Sequence, residues 1–192
     1  MSGGLHELPA DLPVPEDDGA ADHLPGTRLP ALLLPSTAGE LDLAAAGRSR
    51  LVVYVYPRTG IPGVPLPAGW DQIPGARGCT PESCGFRDHE AEIRDLGASV
   101  LGLSAQPLAE QREFAARERI PYPLASDPGL RLAAELDLPT FEVEGMRLYK
   151  RLSLVVEDGA ITRAFYPVFP PDTHAAEVVT WLRENSPALG RR

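Results

Sequence analysis

Apolar residues in this chain form short continuous runs, separated by segments in which they recur at helical spacing. The first run is Leu51–Tyr56 and the second is Ser99–Ser104. Runs of this length that are rich in β-branched and aromatic residues are typical of strands covered on both faces of a sheet. The pattern therefore predicts two buried central strands.

The remaining elements follow from helical spacing and from turn residues. The sequence predicts these elements: an entry hairpin across Leu29–Leu43, a helix from about Thr80 to Leu96, a helix over Pro107–Arg119, a short strand Tyr122–Ala125, a helix from Ser126–Pro128 to about Leu136, a hairpin of Leu152–Val156 with Ala160–Tyr166, and a closing helix His174–Asn185. Strands that alternate with helices, followed by a hairpin and a helix, predict an α/β sandwich.

The predicted domain spans residues 27–186, with a short tail at 187–192. Residues 1–26 are acidic and rich in proline, without an apolar period, so we expect a flexible or surface-wrapped N-terminal arm. Residues 58–77, rich in proline and glycine, form a long loop too irregular for a helix or a strand. Trp70 in this loop either anchors it to the body or contacts a ligand or partner.

Composition limits the classes of function. A length of 192 residues with 43% hydrophobic content predicts one domain with a substantial core. The net charge of -9 disfavours nucleic acid and anionic membranes as partners. No apolar run approaches the ~18 residues of a membrane-spanning helix. Residues 1–22 lack the basic start and apolar stretch of a signal peptide, so we expect a cytoplasmic location.

Both cysteines, Cys79 and Cys84, lie at the start of the predicted helix, with Thr80 as the expected N-cap. Cys79 would then lie just ahead of the first turn, below unpaired N–H groups that favour a thiolate. Residues five apart in an intact helix have Cα atoms roughly 8–9 Å apart, whereas a disulfide needs less than about 7 Å. The two thiols can therefore bond only if the first turn unwinds, which suits a redox cycle better than a structural bridge.

Other roles are conceivable for the two cysteines. Two cysteines with His89 cannot complete a structural zinc site, so we expect no bound metal. The four histidines are scattered along the chain, and we expect surface or capping roles for them. The pair is not a Cys-x-x-Cys, which disfavours a thioredoxin-like dithiol site. Two inert buried thiols remain an alternative.

Four segments resemble one known family. They are Tyr-Val-Tyr-Pro (54–57), Gly-Cys-Thr-Pro-Glu-Ser-Cys-Gly-Phe-Arg-Asp (78–88), Tyr-Pro-Leu-Ala-Ser-Asp-Pro (122–128) and Lys-Arg-Leu-Ser-Leu-Val-Val-Glu-Asp-Gly (150–159). They are similar to peroxiredoxins of the Q type, also called bacterioferritin comigratory proteins, and the resemblance spans roughly Leu29 to Asn185. It implies a thioredoxin-like fold, with a central mixed sheet flanked by helices.

The resemblance also implies an activity and residue roles. Cys79 matches the peroxidatic cysteine, Cys84 the resolving cysteine, and Arg151 the arginine beside the reactive thiol. The implied enzyme reduces hydrogen peroxide and organic hydroperoxides without a cofactor. It is recycled by thioredoxin or a similar dithiol, and it is a monomer or homodimer. Arg77 and Arg87, closer in sequence to Cys79, could share the role of the cation.

One departure from the family motif affects the assignment. The family carries Pro-x-x-x-Thr-x-x-Cys, but here Ala76 stands three residues before Cys79 and Gln72 seven before it. Either Thr59 keeps the hydroxyl role, as we expect, with the loop extending outward after it, or the role is lost or taken by another group. Two alternatives remain: a redox sensor or adaptor that switches a partner through the same disulfide without fast turnover, and a binding module without chemistry.

Overall fold

The computed structural model of the protein describes residues 4–186. The predicted tail at 187–192 lies outside these residues. In chain order the helices and strands of the described part are β1 (Leu33–Ser36), β2 (Gly39–Asp42), α1 (Leu43–Ala46), β3 (Arg50–Val55), α2 (Cys79–Asp95), β4 (Ala98–Ser104), α3 (Leu108–Glu118), β5 (Leu124–Ser126), α4 (Arg131–Leu136), β6 (Thr140–Val143), β7 (Met146–Tyr149), β8 (Leu152–Glu157), β9 (Ala160–Phe165) and α5 (His174–Glu184).

Seven of these strands form a mixed sheet in the order β2-β1-β5-β4-β3-β8-β9. Strands β3, β4 and β5 are parallel, whereas β8 pairs antiparallel with β3. This confirms the predicted central mixed sheet flanked by helices. Strand β3 is central because Val53 has neighbours on both sides, Leu101 on β4 and Leu154 on β8, and all three are buried.

A second small sheet, the hairpin of β6 and β7, was not predicted. Its turn is made by Glu144 and Gly145, which both have positive φ (47° and 75°). A turn of this kind is usually marked in sequence by Asn-Gly or Asp-Gly. Glu-Gly is a weaker turn signal, although apolar and polar residues do alternate along the two short strands beside it.

Apolar side chains fill both faces of the large sheet. On the face covered by α2 and α5, the rings of Tyr54 and Phe86 stack with their centroids 4.5 Å apart. Tyr54 also donates its hydroxyl to Ser83 Oγ at 3.1 Å, and Tyr122 donates to the Ser83 carbonyl at 2.8 Å. These contacts hold α2 so that its first turn lies at the carboxyl end of β3, the usual place for a functional group in an α/β sheet.

Helix α2 begins two residues earlier than the sequence predicts. Its N-cap is Gly78, with φ 104° and ψ 16°, and Cys79 is its first helical residue, so Thr80 is not the cap. A positive φ of this size is readily adopted only by glycine. A Cβ on Gly78 would also lie 2.3 Å from Cγ of Pro171. Sequence rules favour Thr at a cap, but the close approach of Pro171 requires glycine here.

The insertion loop (residues 58–77) connects β3 to α2 and contains one 3-10 turn, Trp70–Gln72. The side chain of Trp70 is only 3% exposed, and its ring lies 6.1 Å from that of Phe141. These contacts favour the anchoring role over the ligand-binding one. Within residues 4–186, no helix has the length and apolar character needed to cross a membrane.

The N-terminal arm (residues 1–26, described from residue 4) lies against the body of the domain. Ala21 and Leu24 are buried, and the backbone N–H of Gly26 donates to the Ile161 carbonyl at 2.7 Å. Nearer the N-terminus of the arm, Asp18 pairs with Lys150 at 2.9 Å. Of the two alternatives stated for the arm, these contacts favour the surface-wrapped one.

Candidate active site

The sulfur of Cys79 lies beside a buried guanidinium. Cys79 is 3% exposed, and Nη2 of Arg151 donates to its Sγ at 3.1 Å. Arg151 stands directly before β8, whose first residue Leu152 pairs with Val55 at the carboxyl end of β3. The antiparallel pairing of β8 with β3 therefore brings Arg151 to the first turn of α2, across 72 positions of sequence.

The same guanidinium also holds the end of the insertion loop. Arg151 donates to the carbonyl oxygens of Gly75, Ala76 and Arg77 at 3.1–3.2 Å. A planar group with five N–H donors can make these contacts while it faces the sulfur, which a lysine ammonium cannot do. Arg151 thus fixes both the reactive thiol and the chain that leads to it.

Glu82 completes the charged group and was not identified from the sequence. Its carboxylate is fully buried and pairs with Nη1 of Arg151. Burial raises the pKa of Glu82, and the charge of Arg151 opposes that rise. The only signal in the sequence is its place three residues after Cys79, in the acidic first turn of α2. Nothing in the sequence shows that the side chain points inward.

Burial raises the pKa of the Cys79 thiol above its ordinary value, which differs from the expectation of an activated thiolate. Arg151 and the backbone N–H of Arg58 stabilise the ionised sulfur, but Glu82 disfavours it. Cys79 is the first residue of α2, and the guanidinium of Arg151 lies beside its sulfur. The sequence did not show how completely the loop and arm remove the sulfur from water, and desolvation penalises the charged form.

Cys84 lies in the same helix, and both cysteines are free thiols. Its Sγ donates to Oε2 of Glu118 at 3.6 Å. Burial, followed by the effect of the Glu118 carboxylate, raises the pKa of Cys84 to about 11. Because Cys79 and Cys84 are five apart in continuous helix, their Cα atoms are roughly 8–9 Å apart, and a disulfide requires the first turn to unwind.

Glu118 also contacts the N-terminal arm. Nε2 of His6 lies 3.4 Å from Oε1 of Glu118, and Nη1 of Arg117 lies 2.6 Å from the same oxygen. The ligand atoms of His6, Cys84 and Glu118 all lie within 4.8 Å of one another, the spacing of a set that could hold a metal ion. Arg117 already gives this carboxylate a cationic partner. The trio joins the arm, α2 and α3, so no spacing in the sequence could reveal it.

Thr59 does not direct its hydroxyl hydrogen to the sulfur. Its Oγ1 donates to Oε1 of Gln106 at 3.0 Å, and its backbone N–H donates to the same oxygen at 2.8 Å. The preceding residue, Arg58, presents its backbone N–H to Cys79 instead. The sequence suggested Thr59 as a partner of the sulfur because it carries the only hydroxyl between Pro57 and Cys79. It could not show that Gln106, two residues after β4, accepts the hydrogen bond from this hydroxyl.

The other candidates have partners of their own. Arg77 pairs with Asp71 at 3.2 Å, and Arg87 pairs with Asp88 at 2.8 Å. His174 departs from the expected surface or capping role, because it is buried, the N-cap of α5 is Thr173, and Nε2 of His174 lies 2.9 Å from Oγ of Ser153. A polar residue at the start of a helix gives no indication of burial, and the serine partner comes from a distant strand.

Known proteins share this arrangement of strands and helices. The Redoxin family matches residues 22–180 of the chain. The chain belongs to the Redoxin family. The peroxiredoxin bcp of Coxiella burnetii is 27% identical to this redoxin over 158 residues, which are 80% of this chain and 95% of that protein. The chloroplastic peroxiredoxin Q of Gentiana triflora is 28% identical over 133 residues, or 69% of this chain, and the match spans only 54% of that relative.

A solved structure, the peroxidoxin BcpB of Mycobacterium tuberculosis, has 27% identity to this redoxin and a TM-score of 0.69, with 85% of this chain and 99% of that one covered. The crystal structure of a Xylella fastidiosa PrxQ mutant has 21% identity and the same TM-score of 0.69, with coverages of 86% and 99%, and shares the fold. This redoxin is a Q-type, BCP-like peroxiredoxin, and hence a thiol-dependent peroxidase.

Proposed function

We propose that Cys79 attacks the peroxide, that Cys84 resolves the product, and that Arg151 stabilises the thiolate and the departing oxygen. The observation that carries this assignment is the 3.1 Å contact between Nη2 of Arg151 and Sγ of Cys79 at the first residue of α2. A cation of this kind beside a thiol at a helix N-terminus is the environment in which cysteines become nucleophiles. Cys84 instead donates to a carboxylate, and burial and Glu118 raise its pKa to about 11, although the charge of Arg87 lowers it.

The first half-reaction consumes one peroxide. The Cys79 thiol loses its proton, and the thiolate attacks one peroxide oxygen as the O–O bond breaks. The sulfur becomes a sulfenic acid, and the departing oxygen takes up a proton and leaves as water or an alcohol. Arg151 is permanently protonated and has several donors, so it can serve the thiolate and then the departing oxygen without losing its own proton.

The second half-reaction needs the first turn of α2 to unwind. Cys84 then attacks the sulfenic sulfur of Cys79, the S–O bond breaks, water leaves, and the intramolecular disulfide forms. Thioredoxin or a similar dithiol reduces the disulfide and restores both thiols, becoming oxidised itself. A reversible dithiol pair of this kind is compatible with a reducing cytoplasm, where structural disulfides are rare. We propose that location, and a monomeric or homodimeric state.

Thr59 acts, in this proposal, as a positioning residue. Its two hydrogen bonds to Gln106 fix the start of the insertion loop, where the N–H of Arg58 faces Cys79. The hydroxyl role predicted for Thr59 is thus replaced by a backbone donor. A backbone N–H can stabilise a thiolate as a hydroxyl can, although it cannot also accept a hydrogen bond from the peroxide.

The test is peroxide-dependent turnover with thioredoxin, thioredoxin reductase and NADPH. We expect catalytic consumption of hydrogen peroxide that requires both Cys79 and Cys84. A protein that forms the Cys79–Cys84 disulfide once but does not cycle with any dithiol reductant would contradict the proposal. Stoichiometric oxidation without cycling would instead support the redox sensor.

The redox sensor has one observation in its favour. Cys79 is almost completely buried, and this burial raises its pKa, so the thiol predominates over the thiolate at neutral pH while the site is closed. A thiol held in this way reacts slowly until the site opens. The two functions differ in the rate constant of oxidation, because a sensor does not need many turnovers and a peroxidase does.

A further inference from the structure

The N-terminal arm crosses the entrance to Cys79. A turn in which the N–H of Glu7 donates to the Gly4 carbonyl at 3.0 Å places Leu5 toward the insertion loop. On the loop side, Nη2 of Arg77 donates to the same Gly4 carbonyl at 3.4 Å. The arm is therefore tied to the residues just before Cys79.

Leu5 packs directly on backbone near the thiol. A Cβ built on Gly60 would lie 2.3 Å from Cδ2 of Leu5, a distance that side chains do not adopt without displacement. Leu8 makes a similar approach to Gly78, where a Cβ would lie 2.9 Å from its Cδ2. The two leucines thus fill the space that a side chain on either glycine would occupy.

The cavity that remains at the sulfur is very small. Its volume is about 10 Å³, and Leu5, Gly60, Leu66, Trp70 and Cys79 are among the residues that line it. A cavity needs about 10–15 Å³, on this measure, to hold one water molecule. With the arm in place, the site therefore has room for a molecule of about the size of water.

We propose that Leu5 is a specificity-determining residue, which closes the entrance to Cys79 and limits the size of the group that a peroxide can carry. The inference rests on the proposed function of Cys79 in peroxide reduction. Hydrogen peroxide has two heavy atoms and needs the least enlargement of the cavity. A hydroperoxide with a bulky apolar group can reach the sulfur only when Leu5 leaves its place on Gly60.

Polar contacts hold the arm on either side of Leu8. On one side, Nε2 of the exposed His6 lies 3.4 Å from the buried Glu118, and on the other, Asp18 pairs with Lys150. The pair of Asp18 with Lys150 is exposed and therefore weak, so the arm can leave the entrance and return. Burial by the arm also contributes to the desolvation of Cys79 described above, so opening the entrance would rehydrate the sulfur.

The test compares wild type with Leu5→Ala by stopped-flow oxidation with hydrogen peroxide and with cumene hydroperoxide. We expect Leu5→Ala to raise the rate constant for cumene hydroperoxide at least tenfold more than that for hydrogen peroxide, and Leu5→Val to give an intermediate ratio. The matched control is Val14→Ala, another apolar truncation in the arm at a side chain that is 64% exposed. Val14→Ala should leave the ratio of the two rate constants, cumene hydroperoxide to hydrogen peroxide, unchanged.

An unchanged ratio in Leu5→Ala, with intact near-UV circular dichroism, would overturn the inference. A second readout separates it from the peroxidase assignment: alkylation of Cys79 in a Cys84→Ser background by iodoacetamide and by the larger N-ethylmaleimide. Leu5→Ala should raise the ratio of the rate constant for N-ethylmaleimide to that for iodoacetamide at least fivefold over the protein with Leu5 intact. If no variant consumes peroxide but this shift is found, the peroxidase function fails and the closure by Leu5 stands. Equal selectivity for the two reagents would overturn the closure whatever the peroxide result.

Discussion

Nη2 of Arg151 lies 3.1 Å from Sγ of Cys79, although the two residues are 72 positions apart. The same guanidinium pairs with the buried carboxylate of Glu82, so one cation is shared between two groups that compete for it. Arg151 stabilises the thiolate, whereas Glu82 disfavours it, and burial of the whole group raises the pKa of Cys79. The balance among these residues leads to the first two predictions.

Replacing Arg151 by Met should slow oxidation of Cys79 by hydrogen peroxide at least tenfold, a barrier increase of about 1.4 kcal/mol. Loss of the cation should also raise the pKa of Cys79 further, because the charge of Arg151 lowers it. Lys should restore only part of the rate, since a point charge cannot replace a planar fork. Stopped-flow oxidation and thiolate absorbance measure both effects.

The matched control is Arg94→Met, on the exposed part of α2, where the guanidinium pairs with Glu90. Arg94→Met should change neither the rate of oxidation of Cys79 nor the pKa of its thiol. If Arg151→Met titrates and reacts like wild type, another group holds the site.

The rate of Cys79 oxidation should rise with pH through the neutral range. Burial raises the pKa of this thiol above its ordinary value, so the reactive thiolate is a minor species at neutral pH. Below a pKa the ionised fraction grows tenfold per pH unit, so the logarithm of the rate constant should rise with a slope near one between about pH 6 and about pH 8. A rate that is already constant across this range would show that the thiol ionises far more easily in the working enzyme.

The two cysteines should have separable roles. Cys79→Ser should abolish consumption of peroxide. Cys84→Ser should leave a first turnover intact and stop cycling with a dithiol reductant, because Cys84 acts after oxygen transfer. Single-turnover and steady-state assays on the two variants measure this. Full single-turnover activity in Cys79→Ser would end the assignment.

Glu118→Gln should lower the pKa of Cys84 from about 11, because the carboxylate and its hydrogen bond both raise it. Burial is the largest cause and remains, so the pKa should stay above its ordinary value. More thiolate at a given pH should then speed disulfide formation a few fold, as the pH dependence of that step would show. Glu113→Gln is the control, because Glu113 pairs with the same Arg117 but is exposed. A pKa of Cys84 that does not move would show that the contact at 3.6 Å has no electrostatic effect.

Thr59→Val should slow oxidation modestly, by about fivefold, because about 1 kcal/mol is a typical net loss for one buried hydrogen bond. The N–H of Thr59 still reaches Gln106, so part of the loop geometry persists. Thr59→Ser should recover the wild-type rate and the pKa of Cys79. A loss of a hundredfold or more in Thr59→Val would instead mean that the hydroxyl contacts the reacting atoms.

Much of the fold could be predicted from the sequence because its signals are local. The run Leu51–Tyr56 and the turn at Asp158–Gly159 identify β3 and the β8–β9 hairpin without reference to the rest of the chain. The hairpin of β6 and β7 has Glu-Gly at its turn in place of the usual Asn-Gly or Asp-Gly, and its strands are only four residues long. The sequence placed the cap of α2 two residues late, at Thr80, because the choice of Gly78 depends on the distant Pro171.

The cysteine pair and its helix were determined by the sequence, since a motif and its spacing are properties of the chain itself, and Arg151 became a candidate through the resemblance to a known family. Tertiary structure decided which groups surround the sulfur: the carboxylate of Glu82, the N–H of Arg58 and the side chain of Leu5. It also decided that the thiol is buried. The reason is that a pKa and a cavity depend on solvent exclusion and on charges brought together from separate elements, and no sequence window contains those elements together.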